Sequence, residues 1–240
     1  VTTLLLSPEL LAGDEAAVEG DAYRHLFRAR RLAVGDRLRV VDGAGAARWA
    51  EVREVDRRRG RLRLLEPAPS GEPGYRLELL VAAPKKERAS WLVEKATELG
   101  VVAVRFLGSE RGPRDLGGGT RERLLRVAGS AVEQCGRSRV PEVTGVHPWA
   151  ELPGLLEGLA GHWFLDTGAA EGGWGGERGE SGAVLVGPEG GWSEAEGAEL
   201  RALGCRPVGL GERVLRVETA AVVAAAALLV LPVAALAPRG

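Results

Sequence analysis

The sequence predicts an α/β protein: a domain with a mainly parallel sheet, preceded by a smaller all-β domain. Three observations carry this. Up to about residue 74, short apolar runs alternate with turn signals at a strand period. A proline- and glycine-rich stretch, EPAPSGEPG at 66–74, then marks a boundary. Beyond it, continuous apolar runs alternate with segments of helical period, the pattern of strands joined by crossover helices.

In the first region, residues 38–41 form an apolar run closed by Asp-Gly-Ala-Gly at 42–45. Residues 49–55 and 61–65 follow as further strands. Gly43 and Gly45 imitate the opening of a dinucleotide loop, but Arg48 stands where the third glycine belongs and a strand follows, so a hairpin is expected. Residues 23–32, YRHLFRARRL, read as a short helix that presents His25, Arg28, Arg30 and Arg31 either to RNA or simply to solvent.

The second region opens with an apolar strand at 77–82. The helix Lys86–Leu99 follows, with Ala89, Leu92, Val93, Ala96 and Leu99 on one face and Gly100 as its stop. A strand at 101–107 precedes a second helix, Thr120–Cys135, for which Thr120 is the expected N-cap. A helix at 149–159 with Pro153 in its first turn and a strand at 162–165 come next. Residues 167–182, rich in glycine and glutamate, read as too polar for core and as a mobile loop or lid. A strand from 183 ends in Gly-Pro-Glu-Gly-Gly, and Ser193 with Glu196 forms a capping box that opens a helix to Gly204. A strand at 205–210 leads to the polar loop with Glu212, Arg213, Arg216 and Glu218, then to an Ala/Val/Leu helix.

Charge and composition bound the function. The net charge of −1 conceals local surpluses: 13 Arg against 6 acids over 21–63, and 8 Arg against 4 acids over 105–140. Such stretches suit a polyanion, and the use of 29 Arg with only 3 Lys favours planar, bidentate contacts to phosphate or carboxylate. Two cysteines and three histidines show no metal-ligand spacing, and sparse cysteine fits a reducing cytoplasm. No signal peptide is read at the start. Residues 220–237 lack charge, but they are alanine-rich and broken by Pro232, so a buried helix is expected and no membrane span.

Two apolar strands, at 183–186 and 208–210, each end in a glycine-bounded turn that feeds a helix. Ligands of open α/β sheets bind at strand carboxyl ends, so both turns are expected to line one pocket. Walker, dinucleotide and nucleophile-elbow patterns are absent, and turn-making alone stays open as the role of these glycines. Charges between a buried strand and a buried helix need partners, which makes the 212–218 loop half of a candidate site.

These segments carry a resemblance. GPEGGWSEAE (187–196), LGERVLRVETA (210–220), EKATELGV (94–101), SERG (109–112), EQCGRSRVP (133–141) and HLFRARRLAVGD (25–36) together resemble the RsmE family of ribosomal RNA methyltransferases. The resemblance implies a homodimer with a PUA-like, RNA-binding β-barrel at 1–70 and a SPOUT domain with a trefoil knot at 75–240. It implies S-adenosylmethionine as cofactor and methylation of N3 of one uridine in 16S rRNA of the small ribosomal subunit. The cofactor is expected against Leu165, Asp166, Val186, Gly187, Pro188, Glu189, Gly190, Gly191, Leu210, Gly211, Val214, Leu215 and Thr219. Arg216 is the candidate for stabilising the uridine anion or a flanking phosphate, and Glu218 for proton handling or for orienting Arg216. The two also make a plausible ion pair that merely buttresses the loop. Glu189 either orients the ligand or caps the helix after it. RNA phosphates are assigned to Arg28, Arg30, Arg31, Arg111, Arg137 and Arg139. The family starts with an Arg-containing segment that touches RNA, whereas this chain reads VTTLLLSPEL. Either that contact is absent or the cluster at 28–31 does more of the work. A related knotted enzyme acting on a ribose 2′-hydroxyl, and a non-catalytic RNA-binding assembly factor, remain as alternatives.

Overall fold

The computed structural model describes residues 1–112, 115–169, 174 and 179–231, with the side chain of Lys86 excepted. The chain divides into two compact units, Val1–Glu72 with Gly129–Val140, and Pro73–Ala128 with Pro141–Gly240.

The first unit contains β1 (Thr3–Leu5), α1 (Pro8–Ala12), β2 (Glu15–Glu19), α2 (Gly20–Tyr23), β3 (Arg37–Val41), β4 (Ala47–Val55) and β5 (Arg59–Pro67). The sheet order is β1-β3-β4-β5-β2, parallel between β1 and β3 and antiparallel elsewhere. Leu4 of one edge strand and Val18 of the other share one core cluster with Leu38, Val52 and Leu62, so the sheet curls around a common interior. The hairpin expected at 42–45 is present, and the Asp42 carboxylate organises it by accepting from the N–H groups of Ala44, Gly45 and Ala46.

The helix expected at 23–32 is modified. After α2 the chain continues as a π-helical turn, Arg24–Ala29, and Arg31 ends it at φ +58°. Packing explains the wider turn. It seats Leu26 and Phe27 in the core, and Phe27 lies so close to β5 that a Cβ on Gly60 would stand 2.3 Å from its ring. The boundary stretch is also less free than its composition implies. The Arg39 guanidinium donates to the carbonyls of Pro69 at 2.6 Å and Ser70 at 2.7 Å, and also to that of Gly136. Glu72 accepts from Arg137 at 2.6 Å and from the backbone of Ser138 and Arg139 at 3.0 Å each.

The second unit is α/β. Its strands are β6 (Arg76–Ala82), β7 (Ala103–Leu107), β8 (Glu142–His147), β9 (Gly161–Leu165), β10 (Ser181–Val186) and β11 (Arg206–Val208). Its helices are α3 (Lys86–Leu99), α4 (Thr120–Cys135), α5 (Leu152–Leu156), α6 (Glu194–Ala202) and α7 (Val217–Leu229), the last turns of α4 counting with the first unit. All neighbouring strands run parallel, in the order β11-β9-β10-β6-β7-β8. Gly100 stops α3 at φ +103°, as its position predicts.

Three expectations are adjusted. Thr120 is the first residue of α4 and not the residue before it, and its hydroxyl donates to the Leu116 carbonyl at 2.9 Å. The helix expected at 149–159 is a 3₁₀ turn, Trp149–Glu151, followed by the single short helix α5. The stretch 167–182 is not uniformly polar surface: Trp174 is 4% exposed and its ring lies 6.1 Å from that of Trp163. Residues 170–173 and 175–178, the middle of the expected lid, and 232–240, which hold Pro232, lie outside the described residues.

Helix α7 packs against α3, β6 and β10, with Ala221, Ala224, Ala225 and Leu228 buried. Alanines let its backbone approach the sheet, which explains an apolar helix of low bulk. Among the described residues no helix is long and apolar enough to cross a membrane.

Candidate active site

Strand order reverses within the second unit. From β9 the chain passes to β10 on one side and then back across β9 to β11 on the other. At such a switch point the loops after neighbouring strands part and leave a crevice. A cleft of about 520 Å³ lies there, lined by Phe164–Asp166 after β9, Val186–Gly191 after β10 and Val208–Leu215 around the end of β11. This volume falls within the roughly 300–1,000 Å³ usual for small-ligand sites.

Each turn is held by a specific device. Gly191, at φ +71°, closes the turn by donating to the Pro188 carbonyl at 2.8 Å. Gly187 leaves room for the Trp192 indole, since a Cβ there would stand 2.9 Å from the ring. That indole donates to the Leu165 carbonyl at 3.1 Å and so ties the end of β9 to the turn after β10. Behind the turn, Ser193 and Glu196 form the predicted capping box, and the second oxygen of Glu196 accepts from the Glu110 N–H at 2.8 Å. This fastens the SERG segment to α6. Arg111 of the same segment donates to the Gly190 carbonyl at 2.7 Å. Opposite, Arg201 lies over the Phe164 ring at 5.2 Å and pairs with Asp166 at 3.2 Å.

The structure brings all the expected cofactor residues to this cleft except Thr219, which is half-buried on α7 and does not line it. Arg216 is exposed at the N-cap of α7 and Glu218 is 7% exposed in its first turn; neither lines the cleft. Among the described residues the two do not pair with each other. Glu218 instead stands 3.6 Å from Arg88 of α3, which also pairs with Glu189. Arg88, Trp192 and Arg201 were not singled out from sequence. Trp192 and Arg201 sit on the motif and the helix that were, but Arg88 has no local signal.

The expected RNA contacts separate by burial. Arg28, Arg30, Arg31, Arg111 and Arg139 are exposed, and His25 is half-buried. The Arg28 guanidinium leans over Tyr23 at 5.8 Å. Arg137 is 3% exposed with its guanidinium committed to Glu72, which is a structural use within the first unit.

The cleft suits S-adenosylmethionine on its own geometry. Apolar residues Phe164, Leu165, Val186 and Leu210 share the lining with glycine backbone, and acidic (Asp166, Glu189, Glu194) and basic (Arg201, Arg213) side chains suit a ligand that carries both signs of charge. No cluster of three or more His, Cys, Asp or Glu able to hold a metal ion occurs among the described residues.

Comparisons with known proteins agree. Residues 71–229 match the family model described as an RNA methyltransferase domain, and residues 18–65 one described as an RNA methyltransferase PUA domain. Fold and cleft therefore define an RNA methyltransferase with an appended PUA domain. The chain is 32% identical to the ribosomal RNA small subunit methyltransferase E of Mycobacterium bovis, over 91% of this chain and 87% of that protein. It is 27% identical to the Bacillus subtilis protein of the same name, over 88% of each. The crystal structure of a ribosomal RNA small subunit methyltransferase E from Neisseria gonorrhoeae bound to S-adenosyl methionine superposes with a TM-score of 0.85 at 26% identity, covering 95% of this chain and 96% of that one. The chain belongs to the ribosomal RNA small subunit methyltransferase E family, as the glycine-turn and RVETA motifs had indicated.

Proposed function

We propose that this chain transfers a methyl group from S-adenosylmethionine to N3 of a uridine in 16S rRNA, in the cytoplasm and as a homodimer. The observation that carries the reading is the cleft itself, in which the two glycine-bounded turns expected from sequence meet at the carboxyl ends of β9, β10 and β11. The relatives named above are small-subunit rRNA methyltransferases, and one was crystallised with the same cofactor. The knot implied by the family belongs with this reading, as does the division of labour between an RNA-binding region at 1–70 and a catalytic one at 75–240. The homodimer is supported by apolar groups left exposed on two helices that pack together: Trp91 of α3, 42% exposed, and Val223 of α7, 40% exposed.

Bound S-adenosylmethionine supplies an electrophilic methyl group, so the protein's task is to position and desolvate. Val186–Gly191 and Leu210–Leu215 provide backbone donors and acceptors against an apolar wall, a setting that does not oversolvate a sulfonium. The acceptor N3 must lose its proton, and the anion that results is stabilised by a nearby cation. Arg216, exposed at the start of α7, is proposed for that cation or for a flanking phosphate. Glu218 is proposed as the carboxylate supporting the same turn. Arg28, Arg30, Arg31, Arg111 and Arg139 are proposed to hold RNA phosphates, with His25 beside them.

The test is methylation of naked 16S rRNA and of 30S subunits with labelled donor, followed by nucleoside mapping. Labelled 3-methyluridine is the expected product. A 2′-O-methylated nucleoside would assign a different reaction, and absence of donor binding by folded protein would assign a non-catalytic role.

A further inference from the structure

Arg88 lies on α3, away in sequence from every segment that forms the cleft, yet its guanidinium stands between two acidic side chains of the site. One terminal nitrogen donates to Glu189, which belongs to the glycine turn and lines the cleft. Its Nε stands 3.6 Å from Oε1 of Glu218 in the first turn of α7. The exposures are graded: the Glu218 side chain is 9% accessible, Arg88 30% and Glu189 63%. Oε2 of Glu218 is buried and has no hydrogen-bond partner among the described residues.

A carboxylate leaves water only when a partner compensates, and among the described residues the cation beside Glu218 is Arg88. The inner carboxylate therefore anchors the guanidinium, whose planar fork extends outward to the second carboxylate. The backbone of the Pro188–Gly191 turn is held by the Gly191 N–H on the Pro188 carbonyl and by Arg111 on the Gly190 carbonyl, but neither contact reaches the Glu189 carboxylate. Contact with Arg88 is thus a principal restraint on its acidic residue.

We infer that Arg88 is a positioning residue for the methyl donor: anchored by Glu218, it holds the Glu189 carboxylate of the glycine turn in the place from which it meets a cationic ligand. The inference rests on the reading of the cleft as an S-adenosylmethionine site and deepens it. Arg88 does not line the cleft; it acts through Glu189.

Calorimetric titration of S-adenosylmethionine into the full chain tests both readings separately. No binding by folded wild-type protein would sink the cofactor reading itself. Given wild-type binding, Arg88→Gln, which keeps most of the stem but loses the charge, should weaken the affinity about tenfold, and Arg88→Lys, which keeps the charge but loses the fork that spans both carboxylates, should fall between Arg88→Gln and wild type. In a double-mutant cycle, Arg88→Gln should have little further effect once Glu189→Gln is present. Wild-type or tighter affinity in Arg88→Gln, or additive effects in the cycle, would each overturn the inference. Should Arg88→Gln fail to fold, Glu189→Gln carries the test alone: it should weaken the affinity about tenfold, and wild-type affinity in that variant would overturn the inference.

Discussion

Two glycines of one turn, Gly187 and Gly190, make opposite predictions. A Cβ at Gly187 collides with the Trp192 ring at 2.9 Å, and Trp192 secures the end of β9. Gly187→Ala should therefore cost about 1–3 kcal/mol in stability, read as a lower thermal midpoint, together with weaker donor binding. At Gly190, which lines the cleft, the nearest atom to an added Cβ is Arg111 Cδ at 3.4 Å, so a side chain is accommodated beside the arginine that holds this carbonyl. Gly190→Val should leave the thermal midpoint within a few degrees and abolish methylation; retained methylation would remove the site from this turn. The glycine-bounded strand end was legible in the sequence, where turn-making alone stayed open as its role; the resemblance carried by GPEGGWSEAE supplied the ligand reading. Arg88 was not legible, because the contact with Glu189 joins residues separated by 101 positions and only the fold brings them together.

At the scale of elements, the start of α6 was the most predictable feature and has the widest reach. Ser193 accepts from the Glu196 N–H at 3.2 Å, and Glu196 returns a carboxylate oxygen to the Ser193 N–H at 2.8 Å. Ser193→Ala should cost about 1 kcal/mol, measurable by denaturant unfolding. Glu196→Ala should cost more, since it also releases the Glu110 N–H and with it the SERG segment. The box could be read from sequence because both partners lie within one turn. The π-helical turn at Arg24–Ala29 could not, because residue types set a helical period but tertiary packing of Phe27 over Gly60 sets the pitch. Thr120 shows the converse: a residue type suited to capping stands inside the helix as its first residue.

The whole molecule responds to pH and salt through identifiable groups. Burial by itself would raise the Glu72 carboxyl, but the hydrogen bond and charge of Arg137, with the N–H groups of Ser138 and Arg139, outweigh it and hold the group below its ordinary value. A depressed folded-state value means that the stabilisation is complete above the unfolded-state value and is lost as pH falls through the folded one. Thermal midpoints should therefore fall on acidification below about pH 4, where free glutamates begin to protonate, and Glu72→Gln should lower stability at neutral pH while flattening that acid dependence. Affinity for 16S rRNA should drop steeply between low and moderate salt, by roughly 0.7–0.9 logarithmic units per tenfold salt for each phosphate neutralised. A flat response would remove the exposed arginines at 28–31 from the interface.

The first unit is assembled from segments that are not contiguous. Glu133 accepts from the Leu5 N–H at 2.9 Å, and Glu72 depends on Arg137 and its neighbours, so residues 129–140 complete a unit that otherwise ends at residue 72. This gives the fold an evolutionary constraint. A genetic crossover within 66–74 would deliver the N-terminal strands without the dodecapeptide that satisfies them, leaving Glu72 half-buried and unpaired. Lineages should therefore inherit the two pieces as a pair, and chimaeras that exchange both should express as folded protein where chimaeras that exchange one do not.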